Sequence, residues 1–446
     1  MSFIRLFYYI FTKLWKPNGR RNIGKQKEML LEIEKDSRDL RSCLLRTSCR
    51  RTLLVVLALS SLAISVAILK SQLQVHAFRI TAFETLKVFT PLRQEPSPRA
   101  STCPPAKNVV FIKTHKTGSS TVANIIFRYG LVRKLNFALP NRAIFQRLLN
   151  HISIPGEVMT EDCIYPIPDG QEYNIVTHHA VYNRTFFQQI MPKNSTYITI
   201  LREPFSHLKS AYEYYKIEKY FVAKAPGTFD PSNPISSFLK DPYFYSSNGT
   251  NFTIIRNSQS ADLGFREEHL ETTRFQEYLE TLDKDFSLVM ILEYFDESLL
   301  MLKRLLCWEL KDILYIPMNE NSRKRILPYT EEDRMLYKEF SPLDHALYSF
   351  FRSKFASMLK SQNKEFFDEL SYFKSLLKEV RFNCMFGNTL VVKATQWHSE
   401  FEFTGEDCRL ANMNLRDAVG MLYSQSFTHQ YKNESKIVFR SEGYVI

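Results

Sequence analysis

Three places in the chain gather side chains able to grip an anion and move a proton. The first is Lys113-Thr114-His115-Lys116-Thr117-Gly118-Ser119-Ser120-Thr121, where two ammonium groups, an imidazole and several hydroxyls surround one glycine. The second is His178-His179. The third is Arg202-Glu203-Pro204, with Ser210 eight residues beyond the arginine. Lys113 and Lys116 bring full positive charge, Ser119, Ser120 and Thr121 bring hydroxyl donors, and Arg202 brings a planar fork matched to phosphate. Histidine, with an ordinary pKa of ~6.5, suits proton transfer near neutral pH. Such a set could hold an anionic donor by two separate grips.

The elements that position these residues follow from apolar patterning. Val109-Val110-Phe111-Ile112 has the length and β-branching of a buried strand, and Val122, Ile125, Ile126 and Tyr129 recur at helical spacing, with Gly130 as the expected C-cap. A strand turning sharply into a helix aims free N–H groups and the positive dipole end at one point, a ready anion site. The loop is not of the ATP type. No glycine precedes Gly118 by the required spacing, and the lysine comes before the glycine instead of after it.

Residues 174–177, 197–201 and 288–292 read as further central strands, alternating with helical patterns at Phe205, Leu208, Tyr212 and Tyr215 and at residues 299–306. Alternation of this kind predicts an α/β fold with a central parallel sheet flanked by helices, whose ligands sit at the carboxyl ends of the strands. Pro204 suits a first helical turn, and at 100° per residue Ser210 falls opposite the apolar stripe, toward a ligand groove. Glu293, after the fourth strand, and the aromatics of residues 216–262 are candidates for ligand contacts, although core packing is the commoner use of an aromatic.

The chain has 446 residues, 44% of them hydrophobic, enough for one large or two ordinary domains. Its net charge of +12 is concentrated in a tail: residues 1–51 carry 13 basic and 5 acidic side chains, leaving 46 against 42 for the rest. A globally basic nucleic-acid binder is thereby disfavoured. Residues 52–69 carry no charge, are preceded by Arg46, Arg50 and Arg51, and just span a bilayer core of ~30 Å. The preceding positive charge puts the N-terminus in the cytosol. The expected plan is a cytosolic tail (1–51), a transmembrane signal anchor (52–69), a proline-bearing stem (70–106) and a luminal domain (107–446). Sequons at Asn183, Asn194, Asn248, Asn251 and Asn433 all follow the anchor, in keeping with luminal exposure. Of seven cysteines, five lie beyond the tail, so at least one stays free or pairs between chains. None is spaced for zinc, and no metal is expected.

The Lys116-Thr117-Gly118-Ser119-Ser120-Thr121 loop resembles the 5′-phosphosulfate loop of sulfotransferases that use 3′-phosphoadenosine-5′-phosphosulfate (PAPS), and Arg202 with Ser210 resembles their 3′-phosphate clamp. Residues 111–121, Leu201-Arg202-Glu203-Pro204, Asp262-Leu263-Gly264 and Phe295-Asp296-Glu297-Ser298-Leu299 narrow the resemblance to the galactose 3-O-sulfotransferase family, over about residues 105–390. That resemblance implies a P-loop-like sulfotransferase fold behind a single transmembrane helix. It also implies a type II Golgi membrane protein, with PAPS as co-substrate, that sulfates the 3-hydroxyl of a terminal galactose on a galactosylceramide-like glycolipid or a glycan. Expected cofactor-binding residues are Lys113, Lys116, Thr117, Gly118, Ser119, Ser120, Thr121, Arg202 and Ser210. Expected catalytic residues are Lys116 as charge partner of the 5′-phosphosulfate and a histidine base. His179 is favoured because it approaches from a separate strand, with His178 and His115 left open. A homodimer is compatible with this plan. The competing readings are a phosphoryl-transfer enzyme, which lacks a Walker-type acidic pair here, and a non-catalytic Golgi carbohydrate-binding protein retaining the fold.

Overall fold

The computed structural model describes residues 103–141, 150–153, 159–167, 170–246, 253–265, 271–318 and 327–426. The expected tail and anchor, the stem up to residue 102, the sequons at Asn248, Asn251 and Asn433, and the basic run Arg323-Lys324-Arg325, which the sequence offers as a further reach to the 3′-phosphate, lie outside the described residues. No helix among the described residues is long and apolar enough to cross a membrane.

Four strands form one parallel sheet in the order β2-β1-β3-β4: β1 (Val109–Ile112), β2 (Ile175–Val176), β3 (Thr196–Leu201) and β4 (Leu288–Ile291). Val109 pairs with both Ile175 and Thr196, and Ile198 pairs with Leu288. β1 is inside the sheet with helices on both faces, which is why all four of its side chains are apolar and fully buried. The four strands fall where the apolar runs predict them.

β1 runs into α1 (Ser119–Val132) through residues 113–118. Gly130 does not end that helix; α1 continues past it. A Cβ there would run into the side chains of Ile175 and Phe137, so the glycine lets α1 close on β2. Beyond β2 come α2 (Arg184–Ile190), capped by the Asn183 side chain, and, after β3, α3 (Pro204–Tyr214), capped by Glu203 with Pro204 in its first turn. The chain then forms α4 (Ser258–Asp262), α5 (Thr272–Asp285), α6 (Phe295–Leu306), α7 (Glu331–Phe340), α8 (Pro342–Lys360), α9 (Lys364–Phe386), the antiparallel hairpin β5 (Leu390–Val392) and β6 (Phe401–Phe403), α10 (Gly405–Ala411) and α11 (Leu415–Ser426).

The aromatics of residues 216–262 divide. Phe221, Phe229 and Phe238 join Phe205, Tyr212, Tyr337 and Phe340 in a second apolar core, whereas Tyr220, Tyr243 and Phe244 stay exposed. Cys103 bridges Cys307, Cys384 bridges Cys408, and Cys163 is buried and free, which accounts for the odd count. α6 and α9 lie antiparallel: Lys303 and Arg304 pair with Glu369, while Lys374 pairs with Glu297 one end away.

Candidate functional site

The loop from β1 to α1 is fixed by its own hydroxyls. Thr114 Oγ1 donates to the Ile200 carbonyl of β3, and the Thr117 and Ser119 hydroxyls both donate to the Thr114 carbonyl. Thr121 Oγ1 accepts the amide of Met318. The hydroxyls of Thr117 and Ser119 therefore face the loop and not a ligand, and only the Ser120 hydroxyl, half-buried on the first turn of α1, has no such partner among the described residues. The amides of Thr117, Gly118, Ser119 and Ser120 meet no acceptor among the described residues. These four donors at a helix N-terminus are the anion site the loop offers.

Two backbone positions shape that nest. Gly118 sits at φ +77°, and a Cβ there would press on Leu292 Cδ1, so glycine is required for conformation and for space. Lys116 adopts φ 53° without being glycine, a strained conformation of the kind that concentrates at functional sites.

The two lysines part ways. Lys113 is buried, with Nζ 2.6 Å from His179 Nε2, while His179 Nδ1 donates to the Lys113 carbonyl at 2.8 Å. Burial lowers the Lys113 pKa to about 7, with nearby Asp262 opposing the shift. Lys116 lies on the rim, its ammonium 3.4 Å from the centroid of the Tyr214 ring. Its pKa is lowered to about 8, by burial first and then by the Arg202 charge.

Arg202, at the end of β3, donates from Nη1 to the Lys116 carbonyl at 3.1 Å. Both anion-gripping elements anticipated from the sequence thus share one edge of the sheet. Ser210 is half-buried one turn before Tyr214, on the side of α3 that meets Lys116. The Gln259 side-chain amide pairs with the Arg202 backbone on both sides, at 2.8 and 3.0 Å.

His115 takes the opposite direction. Its backbone N–H and its Nδ1 both reach the Asp262 carboxylate, at 2.7 and 2.9 Å, and its carbonyl accepts from His207 Nε2 at 3.0 Å. In the neutral tautomer that donates Nδ1–H to the carboxylate, the free lone pair is on Nε2 and its direction is fixed, the arrangement of a general base. His115 stacks on His179, centroids 4.0 Å apart, and His179 on His151 at 4.7 Å. Burial holds His179 well below the usual imidazole range and His151, His178 and His207 at about 3, so these four are neutral near pH 7. His179 has both nitrogens engaged by Lys113 and is buried under His115, which is 14% exposed and nearer the opening.

His115, His151 and His179 bring ligating atoms within 4.8 Å of one another. Zinc, at about 2.0–2.1 Å from each nitrogen, needs lone pairs that converge. Here His115 and His179 lie face to face, 15° from parallel, and the Lys113 ammonium takes His179 Nε2. The three rings as they stand form a stack and not a ligand set.

Beyond Arg202 a cavity of about 390 Å³ is lined by Glu203, Ser206, Glu293, Tyr294, Tyr348 and Arg352. Both Glu293 oxygens are engaged, by the Glu203 amide and the Tyr348 hydroxyl. Sequence reasoning gave no role to Asp262 or Gln259. The only signal was that Asp262-Leu263-Gly264 is one of the stretches carrying the family resemblance. α4 brings both residues to the site: Gln259 fixes the arginine and Asp262 fixes the histidine.

A sequence model described as galactose-3-O-sulfotransferase matches residues 40–401. Among similar proteins, human galactosylceramide sulfotransferase is 34% identical over 274 residues, covering 60% of this chain and 61% of that protein. Pig galactose-3-O-sulfotransferase 2 is 34% identical over 265 residues, covering 58% and 63%. Human galactose-3-O-sulfotransferase 3 is 29% identical over 267 residues, covering 57% and 59%. The chain thus spans about three fifths of the length of the relatives it matches.

Proposed function

The chain belongs to the galactose-3-O-sulfotransferase family, and from that premise we propose that it transfers a sulfuryl group from PAPS to the 3-hydroxyl of a terminal galactose on a glycolipid or glycan. The observation that carries the reading is the single edge holding four amides without acceptors among the described residues, the Lys116 ammonium and the Arg202 guanidinium. A nucleotide with a phosphate at each end is the ligand class that such a pair of grips suits.

PAPS, when bound, supplies the sulfuryl group and leaves as adenosine 3′,5′-bisphosphate. The amides of residues 117–120 and the Ser120 hydroxyl hold the 5′ end, and Arg202 with Ser210 holds the 3′-phosphate. Lys116 stabilises negative charge building on the bridging oxygen as the bond to sulfur breaks. His115 Nε2, oriented through Nδ1 by Asp262, takes the proton of the acceptor hydroxyl, in preference to His179, whose nitrogens Lys113 occupies. Lys113 and His179 support His115 from below. In cells the protein is a single-pass type II Golgi membrane protein with this domain in the lumen, a placement supported by the charge-free run at 52–69 and the basic residues before it.

The test is incubation of the purified full chain with sulfur-labelled PAPS and a panel of β-galactosides, including galactosylceramide. Label is expected on the galactose 3-oxygen, and Lys116→Ala should abolish its appearance. Galactoside binding that Lys116→Ala leaves intact, with no transfer of label by the unsubstituted chain, would mark a carbohydrate-binding protein instead.

A further inference from the structure

The free end of α9 is apolar, rigid and aimed. Phe382, Met385 and Phe386 are 62, 79 and 63% exposed, and Val391 on the adjoining hairpin is 46% exposed. They belong to an eleven-residue stretch without charge, residues 382–392, bounded by Arg381 and Lys393. The Cys384–Cys408 bridge ties the tip to α10, whose Leu410 carbonyl accepts from Asn124 of α1. A group of large apolar side chains displayed on a pinned scaffold, in place of scattered single ones, marks a contact surface.

The ion pairs give its direction. Glu369 of α9 lies beside the C-terminal turn of α6, and Lys374 beside its first turn at Glu297. That first turn borders the anion loop, since a Cβ on Gly118 would touch Leu292 and approach Phe295. Farther along, Arg381 lies over the Tyr315 ring, whose hydroxyl bonds Asp296. At 1.5 Å per residue, the stretch from Lys374 to Phe386 carries α9 about 18 Å beyond Glu297, in the direction the strands point. The apolar tip therefore projects from the end of the domain that bears the candidate site.

We propose that this tip inserts into a lipid bilayer and sets the site against its surface, and that the acceptor is accordingly a galactosyl lipid embedded in that bilayer. This rests on the galactose sulfotransferase reading and narrows its acceptor. A membrane is the occupant within constant reach. The charge-free run ends at residue 69, and the 33 residues from there to Cys103 span at most about 110–120 Å. Aromatics and methionine flanked by basic residues suit the region between headgroups and acyl chains. Four side chains are too few for a stable subunit interface, which buries about 800 Å² per partner.

The full chain in phosphatidylcholine vesicles containing galactosylceramide is compared with a Phe382→Ser/Met385→Ser/Phe386→Ser variant, using PAPS and either the embedded lipid or soluble lactose. The expected result is a fall of about tenfold or more on the lipid, with lactose within twofold; the lactose rate also reports folding. Equal losses on both acceptors, or none on either, overturn the proposal. A second readout needs no acceptor: the emission added by Phe386→Trp should be quenched when the vesicles contain brominated phosphatidylcholine. Unquenched emission overturns the insertion, including the case in which the substitutions dissociate a dimer. Quenching without transfer to any galactoside would sink the sulfotransferase reading while leaving the membrane contact standing.

Discussion

Lys113 and Lys116 are three residues apart in one loop and leave it in opposite directions. Lys113 turns inward, buried between Asp262 and His179, and its proton is held loosely at a pKa of about 7. Lys116 turns outward through a strained backbone, over an exposed tyrosine and beside Arg202. Around Lys113 lies a column of stacked imidazoles, of which burial keeps His151 and His179 neutral; around Lys116 lie the positive groups and the amides that meet no acceptor among the described residues. In the proposed function one side of the loop handles a proton and the other holds phosphate. Residue type alone does not separate them, because the separation comes from which way each side chain leaves the turn.

That division can be broken from either side. The largest effect expected is from Asp262→Asn, which removes the charge and replaces one accepting oxygen by an NH2 donor, so that the His115 tautomer with its lone pair on Nε2 is no longer favoured: kcat should fall by about 10²–10⁴-fold. Binding of adenosine 3′,5′-bisphosphate, followed by calorimetry, should stay within about twofold. A comparable loss of nucleotide affinity would show that the two sides are not separate. Next in size, Arg202→Ala should weaken nucleotide binding about 10–100-fold, the worth of a charge-assisted hydrogen bond of about 1.5–3 kcal/mol. The proton-handling side should keep its pH dependence under saturating donor.

The last effect concerns stability and not function. The unfolded chain holds the Lys113 proton up to about pH 10.5, whereas the folded chain releases it above about pH 7. Between those values the unfolded state binds more protons, so this group makes stability rise with pH, by at most about 1.4 kcal/mol per unit, and the gain is lost as pH falls through 7. Lys113→Met should flatten that rise in denaturant melts between pH 7 and 10. An unchanged slope would mean that Lys113 is not buried as a titrating group.

The strands were legible because each is a short apolar run buried on both faces, a pattern few other structures produce. Arg202 and Lys116 were legible as neighbours because parallel strands bring their carboxyl ends to one edge. Gly130 was misread as a cap because a helix-interior glycine looks the same in sequence whether it ends the helix or lets it approach β2. The Thr117 and Ser119 hydroxyls, counted as ligand donors, turned out to close the loop on itself, a choice settled by local geometry. Asp262 stands 147 residues from its histidine, and no periodicity joins them. The second core likewise absorbed aromatics that sequence alone could not divide between packing and display.

The sequence by itself determined the layered architecture, the strand-loop-helix turn and the end of the sheet where chemistry gathers, since these depend on local polarity patterns and on the chirality of the backbone. Only the tertiary structure decided which histidine is poised, which lysine is interior and where the apolar tip of α9 points. Those depend on contacts between distant segments, and such contacts form only when the whole core closes around them.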